Sequence, residues 1–379
     1  MKDISICLFA WDLCDEGVEE VLGRVADMGA TSLYLAATYH AGWFVLPHNP
    51  KRKCHFAEDG VAYFQPQETL YEGTPLKPKV AGIAADTDWF TEAGQLLDRF
   101  GLRMTAWTVC NHNTPLGLKH PEHTVRNAFG DYYPHALCPA SRAVRDYVRA
   151  LSVDLASRYP LQSIFLEAPN YRGRRHGHHH ERELVKLGHL ENTLLDISFS
   201  EHDLAAARAA GVDGDRVRQS IREHLTKYLD AAPRLREDLP LTMAQFLDDH
   251  PMTADYLAVL DEQVSRLVAE IKSDIRQWDV ELEGVERIAA YDVQVVGAYG
   301  LTPEEVARKT TLARSQIPLY QQIRVGFRLG GDPSAIESPK QARECVQAAS
   351  ESGADSVFFY NYSESPLESL EWIRYSVGI

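Results

Sequence analysis

The chain has 379 residues, 45% hydrophobic and 25% charged, a balance that supports a sizeable core and excludes a disordered or collagen-like polymer. Lys and Arg number 39 against 54 Asp and Glu, leaving a net charge of −15, the wrong sign for gripping phosphate backbones, so nucleic acid is excluded as the main partner. No run of 18 apolar residues occurs, and Asp12 interrupts the first apolar segment too early for a secretory core. The expectation is a cytoplasmic protein with no membrane partner. Six cysteines (Cys7, Cys14, Cys54, Cys110, Cys138, Cys345) are scattered without a C-x-x-C pair, which points to buried thiols and not to a disulfide framework or structural zinc.

Short apolar runs alternate with helical patterns from the start, as in parallel strands covered by helices. Residues 4–10 read as a strand. Residues 17–28 follow as a helix, with Val18, Val21, Leu22, Val25 and Met28 at helical spacing and Gly29 as the stop. A second strand is predicted at 32–37, a helix at 87–100, a third strand at 102–109, a helix at 142–159 and a fourth strand at 162–167. The polar, His-rich stretch 168–276 breaks the rhythm and reads as a mainly helical insertion, with helices at 203–211, 217–231 and 253–275 and a connector at 242–251. Its placement makes it a candidate lid or homo-oligomer contact. The rhythm then resumes with strands at 278–282, 293–298, 323–328 and 356–360, and with helices opened by Thr302-Pro303-Glu304-Glu305 and by Ser338-Pro339. Eight βα steps predict a single (β/α)8 TIM barrel. No G-x-G-x-x-G follows the first strand and no G-x-x-x-x-G-K-[ST] exists, so a dinucleotide or P-loop cradle is missing and no cofactor is expected.

In this architecture the C-terminal strand ends build the active site. They deliver Trp11 and Asp12, His40, Trp107 with Asn111 and His112, Glu167 with Tyr171, Tyr299, Arg328, and Asn361 with Tyr362. Glu167 follows the buried-type run Ile164-Phe165-Leu166. A carboxyl emerging there is partly desolvated, which favours the protonated form a general acid needs. The aromatic rings suit the C–H faces of a sugar, while Asn, His, Asp and Arg suit its hydroxyls. The run His176-Gly177-His178-His179-His180-Glu181 stands near enough to fold over the mouth. His178 and His180 are read as substrate contacts, since no metal-binding spacing such as H-E-x-x-H is present. Glu201 is either a second carboxylate at the mouth or a charge at a helix N-terminus.

Trp107 with Asn111-His112-Asn113, the stretches His120-Pro121-Glu122 and Asn127-Ala128-Phe129-Gly130-Asp131, and Phe165-Leu166-Glu167 resemble the first half of TIM-barrel glycoside hydrolases. Phe199-Ser200-Glu201-His202 and Phe358-Phe359-Tyr360-Asn361-Tyr362 are similar to later segments of the same superfamily. The resemblance implies a glycosidase acting on a small glycoside or short oligosaccharide, with Glu167 as acid/base. Strand seven ends in Arg328 where the large retaining clan carries a glutamate, so the second carboxylate required by an oxocarbenium-like transition state must come from elsewhere. Glu201, Asp12, Glu281 and Glu283 are the candidates. The alternatives are a metal-dependent sugar isomerase, epimerase or lyase using the 176–181 run, and a non-catalytic carbohydrate-binding barrel.

Overall fold

The computed structural model describes residues 1, 3–175, 181–231, 239–240, 242–330 and 334–376. Eight parallel strands, β1 (Asp3–Leu8), β2 (Ser32–Tyr39), β3 (Arg103–Val109), β4 (Leu161–Glu167), β5 (Glu281–Gly284), β6 (Val293–Gly297), β7 (Gln322–Arg328) and β8 (Ser356–Tyr360), pair in sequence order. The pairing of β1 with both β2 and β8 closes the cylinder. This is the predicted (β/α)8 barrel. Its helices include Val18–Asp27, Arg142–Arg158, Pro303–Gln316 and Pro339–Glu351. Thr302 and Ser338 cap the last two through the N–H groups of Glu305 and Gln341.

Side chains alternate between the barrel axis and the helices, and the two ends of the axis are filled differently. In the N-terminal half, Arg324 donates to Glu283 at 3.1 Å, Asp3 at 3.0 Å, Tyr34 at 2.7 Å and Ser356 at 2.8 Å. Glu283 also accepts from the Tyr34 and Ser163 hydroxyls. Arg324, Glu283 and Asp3 are all buried, and Glu281 accepts from Gln322 in the same region. Glu281 and Glu283 therefore belong to the barrel floor and not to its mouth. β5 begins three residues later than predicted, because Trp278 and Val280 form turns on the end of the preceding helix.

β1 also stops earlier than predicted, and Ala10–Glu16 forms a helix. That helix carries Trp11 and Asp12 away from the mouth. Trp11 is fully buried and stacks on Phe9 with ring centroids 4.1 Å apart. The Asp12 carboxylate accepts from the Phe9 backbone N–H at 2.9 Å and from the Ser363 hydroxyl at 2.6 Å, so it fastens the helix start to the segment after β8. The predicted connector at 242–251 contains a short helix, Met243–Asp249, opened by a Thr242/Gln245 capping box.

Within 168–276, helices His189–Asp196, Glu201–Ala209, Gly214–Asp230 and Met243–Asp249 surround a core of Phe199, Leu204, Ile221, Leu225, Phe246 and Tyr256. The long helix Met252–Ile275 serves both bodies. Tyr256 and Leu260 enter this core, whereas Leu267, Val268, Ile271 and Ile275 enter the barrel core. No helix among the described residues is long and apolar enough to cross a membrane.

Two outcomes follow. Arg324→Met leaves the buried Asp3 and Glu283 carboxylates uncompensated and is expected to cost about 3–5 kcal/mol in urea denaturation. Burial raises the Asp12 carboxyl from 3.8 to about 7, against the pull of the Ser363 and Phe9 hydrogen bonds. The folded state thus holds a proton that the unfolded chain has lost, and stability falls as pH rises between those values, by at most about 1.4 kcal/mol per pH unit. In Asp12→Asn this contribution to the slope is absent, measured as denaturation midpoints from about pH 4 to about pH 7.

Candidate active site

Above the polar floor the axis is hollow. The C-terminal strand ends enclose a cavity of about 320 Å³ whose wall includes Cys7 from β1, Tyr39 from β2, Trp107 from β3, Glu167 and Phe165 from β4, Val295 and Gly297 from β6, Arg328 from β7, and Phe358 and Tyr360 from β8. Tyr299, two residues past β6, completes one side. The volume lies at the small end of ligand sites. Two glycines shape it. A Cβ on Gly326 would meet the Phe358 ring at 2.2 Å, so the bare backbone there lets that ring lie across the bottom. A Cβ on Gly297 would meet nothing within 4 Å, so the bowl stays open on that side.

Glu167 is the one carboxylate among the described residues that lines this bowl. Its Oε2 accepts from the Trp107 indole N–H at 2.5 Å, which fixes the carboxylate plane and leaves Oε1 for a ligand. The chain then turns sharply. Ala168 has φ 53°, a left-handed conformation that costs a residue with a Cβ about 1 kcal/mol. It is held there by Asn111 N–H donating to the Ala168 carbonyl at 3.0 Å and the Asn111 carboxamide donating to the Pro169 carbonyl at 2.6 Å. The strained turn, held by these two bonds, fixes where Glu167 leaves β4.

Three phenols surround Glu167. Burial, together with neighbouring charges that include Glu167, holds Tyr39, Tyr299 and Tyr360 above the usual tyrosine range, so all three remain protonated donors. The Arg328 guanidinium lies over Tyr299 and Tyr360 at 5.0 and 5.5 Å from their ring centroids and donates to Ser334 at 2.8 Å. Burial and the Glu167 and Glu283 charges push the Cys7 thiol well above its ordinary range, so it offers an S–H and not a thiolate nucleophile. A second cavity of about 700 Å³ shares Arg328 and Tyr360 with the bowl and is walled by Phe44, Val45, Asn361 and Glu364.

Of the expected site residues, Glu167, Trp107, Tyr299 and Arg328 meet in the bowl. Asn361 lies in the adjoining cavity and donates to Glu364 at 2.6 Å. His40 stacks on Tyr39 at 4.5 Å and His112 on His40 at 4.3 Å, backing the wall from outside. The others are placed elsewhere. Asn111 is fully buried and spent on the turn after Glu167. The Tyr171 hydroxyl donates to Asp203 at 2.7 Å, tying the chain after β4 to the helical body. Tyr362 is fully buried and donates to Glu16 at 2.8 Å. Trp11 and Asp12 are in the first helix, as described above. Glu201 is exposed at the first turn of its helix, whose cap is a Ser200/Asp203 box. His178 and His180 lie outside the described residues, and among the described residues no group of three or more His, Cys, Asp or Glu is arranged to hold a metal.

Sequence reasoning missed Phe165, Phe358 and Tyr360. The signal was available by counting back two residues at a time from each strand end. It also missed Glu286, just past β5. Burial raises that carboxyl, which accepts from the Tyr291 hydroxyl at 3.2 Å and does not line the bowl.

No protein-family model matches the chain, and no curated protein matches it in sequence. Solved structures do match. A β-galactosidase from the psychrophilic Marinomonas ef1 gives a TM-score of 0.58 at 13% identity, covering 99% of this chain and 58% of that one. Alpha-L-fucosidase isoenzyme 2 from Paenibacillus thiaminolyticus gives 0.56 at 11% identity, with 99% and 49% covered. The PgaB (BpsB) glycoside hydrolase domain from Bordetella bronchiseptica gives 0.53 at 13% identity, with 98% of each chain covered. The fold is therefore the barrel that these glycoside hydrolases use, and this chain spans about half the length of the first two.

Gly297→Leu tests the bowl by filling it. The substitution projects into open space from a strand position, so stability is expected to stay within about 1 kcal/mol of the parent in thermal melts. Binding of any monosaccharide that the parent takes up in titration calorimetry is expected to disappear.

Proposed function

We propose that the protein is a glycoside hydrolase acting on a small glycoside or short oligosaccharide, with Glu167 as the acid/base. The observation that carries this reading is the placement of Glu167. It stands at the end of β4, in a sugar-sized bowl, oriented by Trp107 and ringed by phenols and a guanidinium. In the forward step Glu167 gives its proton to the glycosidic oxygen as the C1–O bond breaks, and the positive charge growing at C1 and the ring oxygen needs a second carboxylate.

That carboxylate, or the water it activates, must meet C1 on the face opposite the leaving oxygen. Glu167 is the one carboxylate among the described residues in the bowl wall, whereas Glu364 lines the adjoining cavity, on the leaving-group side, held by the Asn361 carboxamide N–H at 2.6 Å and by its own N–H donating to the Asn361 carboxamide oxygen at 2.8 Å. Water completes the hydrolysis by adding to C1 and returning a proton to Glu167.

A panel of p-nitrophenyl and alkyl glycosides, including galactosides and fucosides, tests the roles. Glu167→Gln is expected to lower kcat/KM by about 10²–10⁴, with a smaller loss for more acidic leaving groups, which need less protonation. A folded Glu167→Gln protein with undiminished activity overturns the assignment.

The presence of one carboxylate in the bowl wall itself favours a second reading, a barrel that binds sugars without hydrolysing them. Saturable monosaccharide binding with no turnover of any glycoside in the panel would establish that reading instead.

A further inference from the structure

We propose that the 700 Å³ cavity next to the bowl is the subsite for the sugars of the leaving group, and that Trp43 and Phe56 form its outer platform. The natural substrate is then an oligosaccharide of at least two units. This inference rests on the glycosidase reading for its reaction, but its binding claim stands on separate observations.

The first is the hairpin after β2, made of Gly42–Val45 and Cys54–Ala57. Trp43 pairs with Phe56 and Val45 with Cys54, which puts these four side chains on one face. Trp43 is 57% exposed and Phe56 74%. The opposite face is anchored, because Phe44 is buried against Phe9 and Trp11 at centroid distances of 5.3 and 5.1 Å. The exposed rings are thus carried on a fixed support.

The second is continuity. Val45, from the same exposed face, lines the larger cavity together with the anchored Phe44; Trp43 and Phe56 stand next to Val45 beyond that lining, and the cavity meets the bowl at Arg328 and Tyr360. A chain of sugars leaving the bowl passes this junction, then the polar wall of Asn361 and Glu364, and reaches the aromatic face. Alternating apolar ring faces and hydrogen-bonding groups match the C–H faces and hydroxyls of a saccharide. A second protein copy fits less well: a stable contact buries roughly 800 Å² per partner, whereas the apolar face here consists of a few side chains bordering a carboxylate and a carboxamide.

The experiment uses the full chain with Trp43→Ala, Phe56→Ala and the conservative Trp43→Phe. Two substrates of the glycosyl unit that the wild type accepts are compared. One is the glycosyl fluoride, whose one-atom leaving group reaches no further subsite, and the other is the trisaccharide. Each alanine variant is expected to lower the ratio of kcat/KM for trisaccharide over fluoride by about tenfold, carried by KM, with Trp43→Phe close to wild type. An unchanged ratio overturns the subsite.

Cys54 supplies the second measurement, since it is exposed on the platform face. Galactotriose, cellotriose, maltotriose and chitotriose are tested for slowing its alkylation. Protection by one of them, lost in Trp43→Ala, with no turnover of any glycoside, keeps the subsite and removes the hydrolase reading. No protection and no ratio change remove the subsite while leaving Glu167 chemistry intact.

Discussion

The hollow mouth depends on the ion network at the barrel's other end. Strand geometry obliges every second residue of eight strands to point along one axis, and in most of the length that axis must be filled. Here the N-terminal half is filled by charge. Arg324 stands between Asp3 and Glu283, with Tyr34, Ser163 and Ser356 completing the hydrogen bonds. Such a network contributes little net stability over an apolar filling, but it tolerates no partial removal. Its structural effect is to define a rigid floor. Phe165, Phe358 and Cys7 lie above it, and the space beyond them is open.

The fold was legible because its signals are repeated and local. Buried parallel strands announce themselves as apolar runs between helix stops, and seven of the eight were readable to within about two residues. β5 was the exception for a physical reason. Its inward residues are Glu281 and Glu283, whose charges are neutralised by side chains distant in sequence, so the strand carries no apolar run to read. For the same reason Glu281 and Glu283 read as available carboxylates in the sequence, since their partners, Gln322 and Arg324, lie far along the chain.

The site was legible in part, and the errors arise where the chain leaves a strand. At β8 the strand ends on Tyr360 as expected and Tyr360 lines the bowl, but the segment beyond it turns inward and buries Tyr362 beside Glu16. At β1 an early helix withdrew Trp11 and Asp12. Glu167, Trp107 and Arg328 were placed correctly because β4, β3 and β7 run to their expected ends. Polar residues after strand ends divide further into those that face a ligand and those that hold the backbone. Asn111 and Tyr171 are of the second kind, and only the identity of their partners, Pro169 and Asp203, separates the two.

An arginine at the end of β7 changes how the bowl works. With a cation at that position, the wall cannot present a carboxylate to the face of a sugar that lies against β7, and Arg328 is instead held over two phenols. Arg328 and Tyr360 form the boundary between bowl and outer cavity, so a negative group close to either side of that boundary is favoured by the guanidinium charge. Glu167 occupies one side and Glu364 the other. A saccharide lying across the boundary would meet Glu167 in the bowl and Glu364 in the outer cavity, and the guanidinium charge offsets part of the repulsion between the two carboxylates. In the proposed glycosidase reading, bond cleavage therefore falls at the seam where the bowl opens onto the outer cavity and not at the bottom of the bowl.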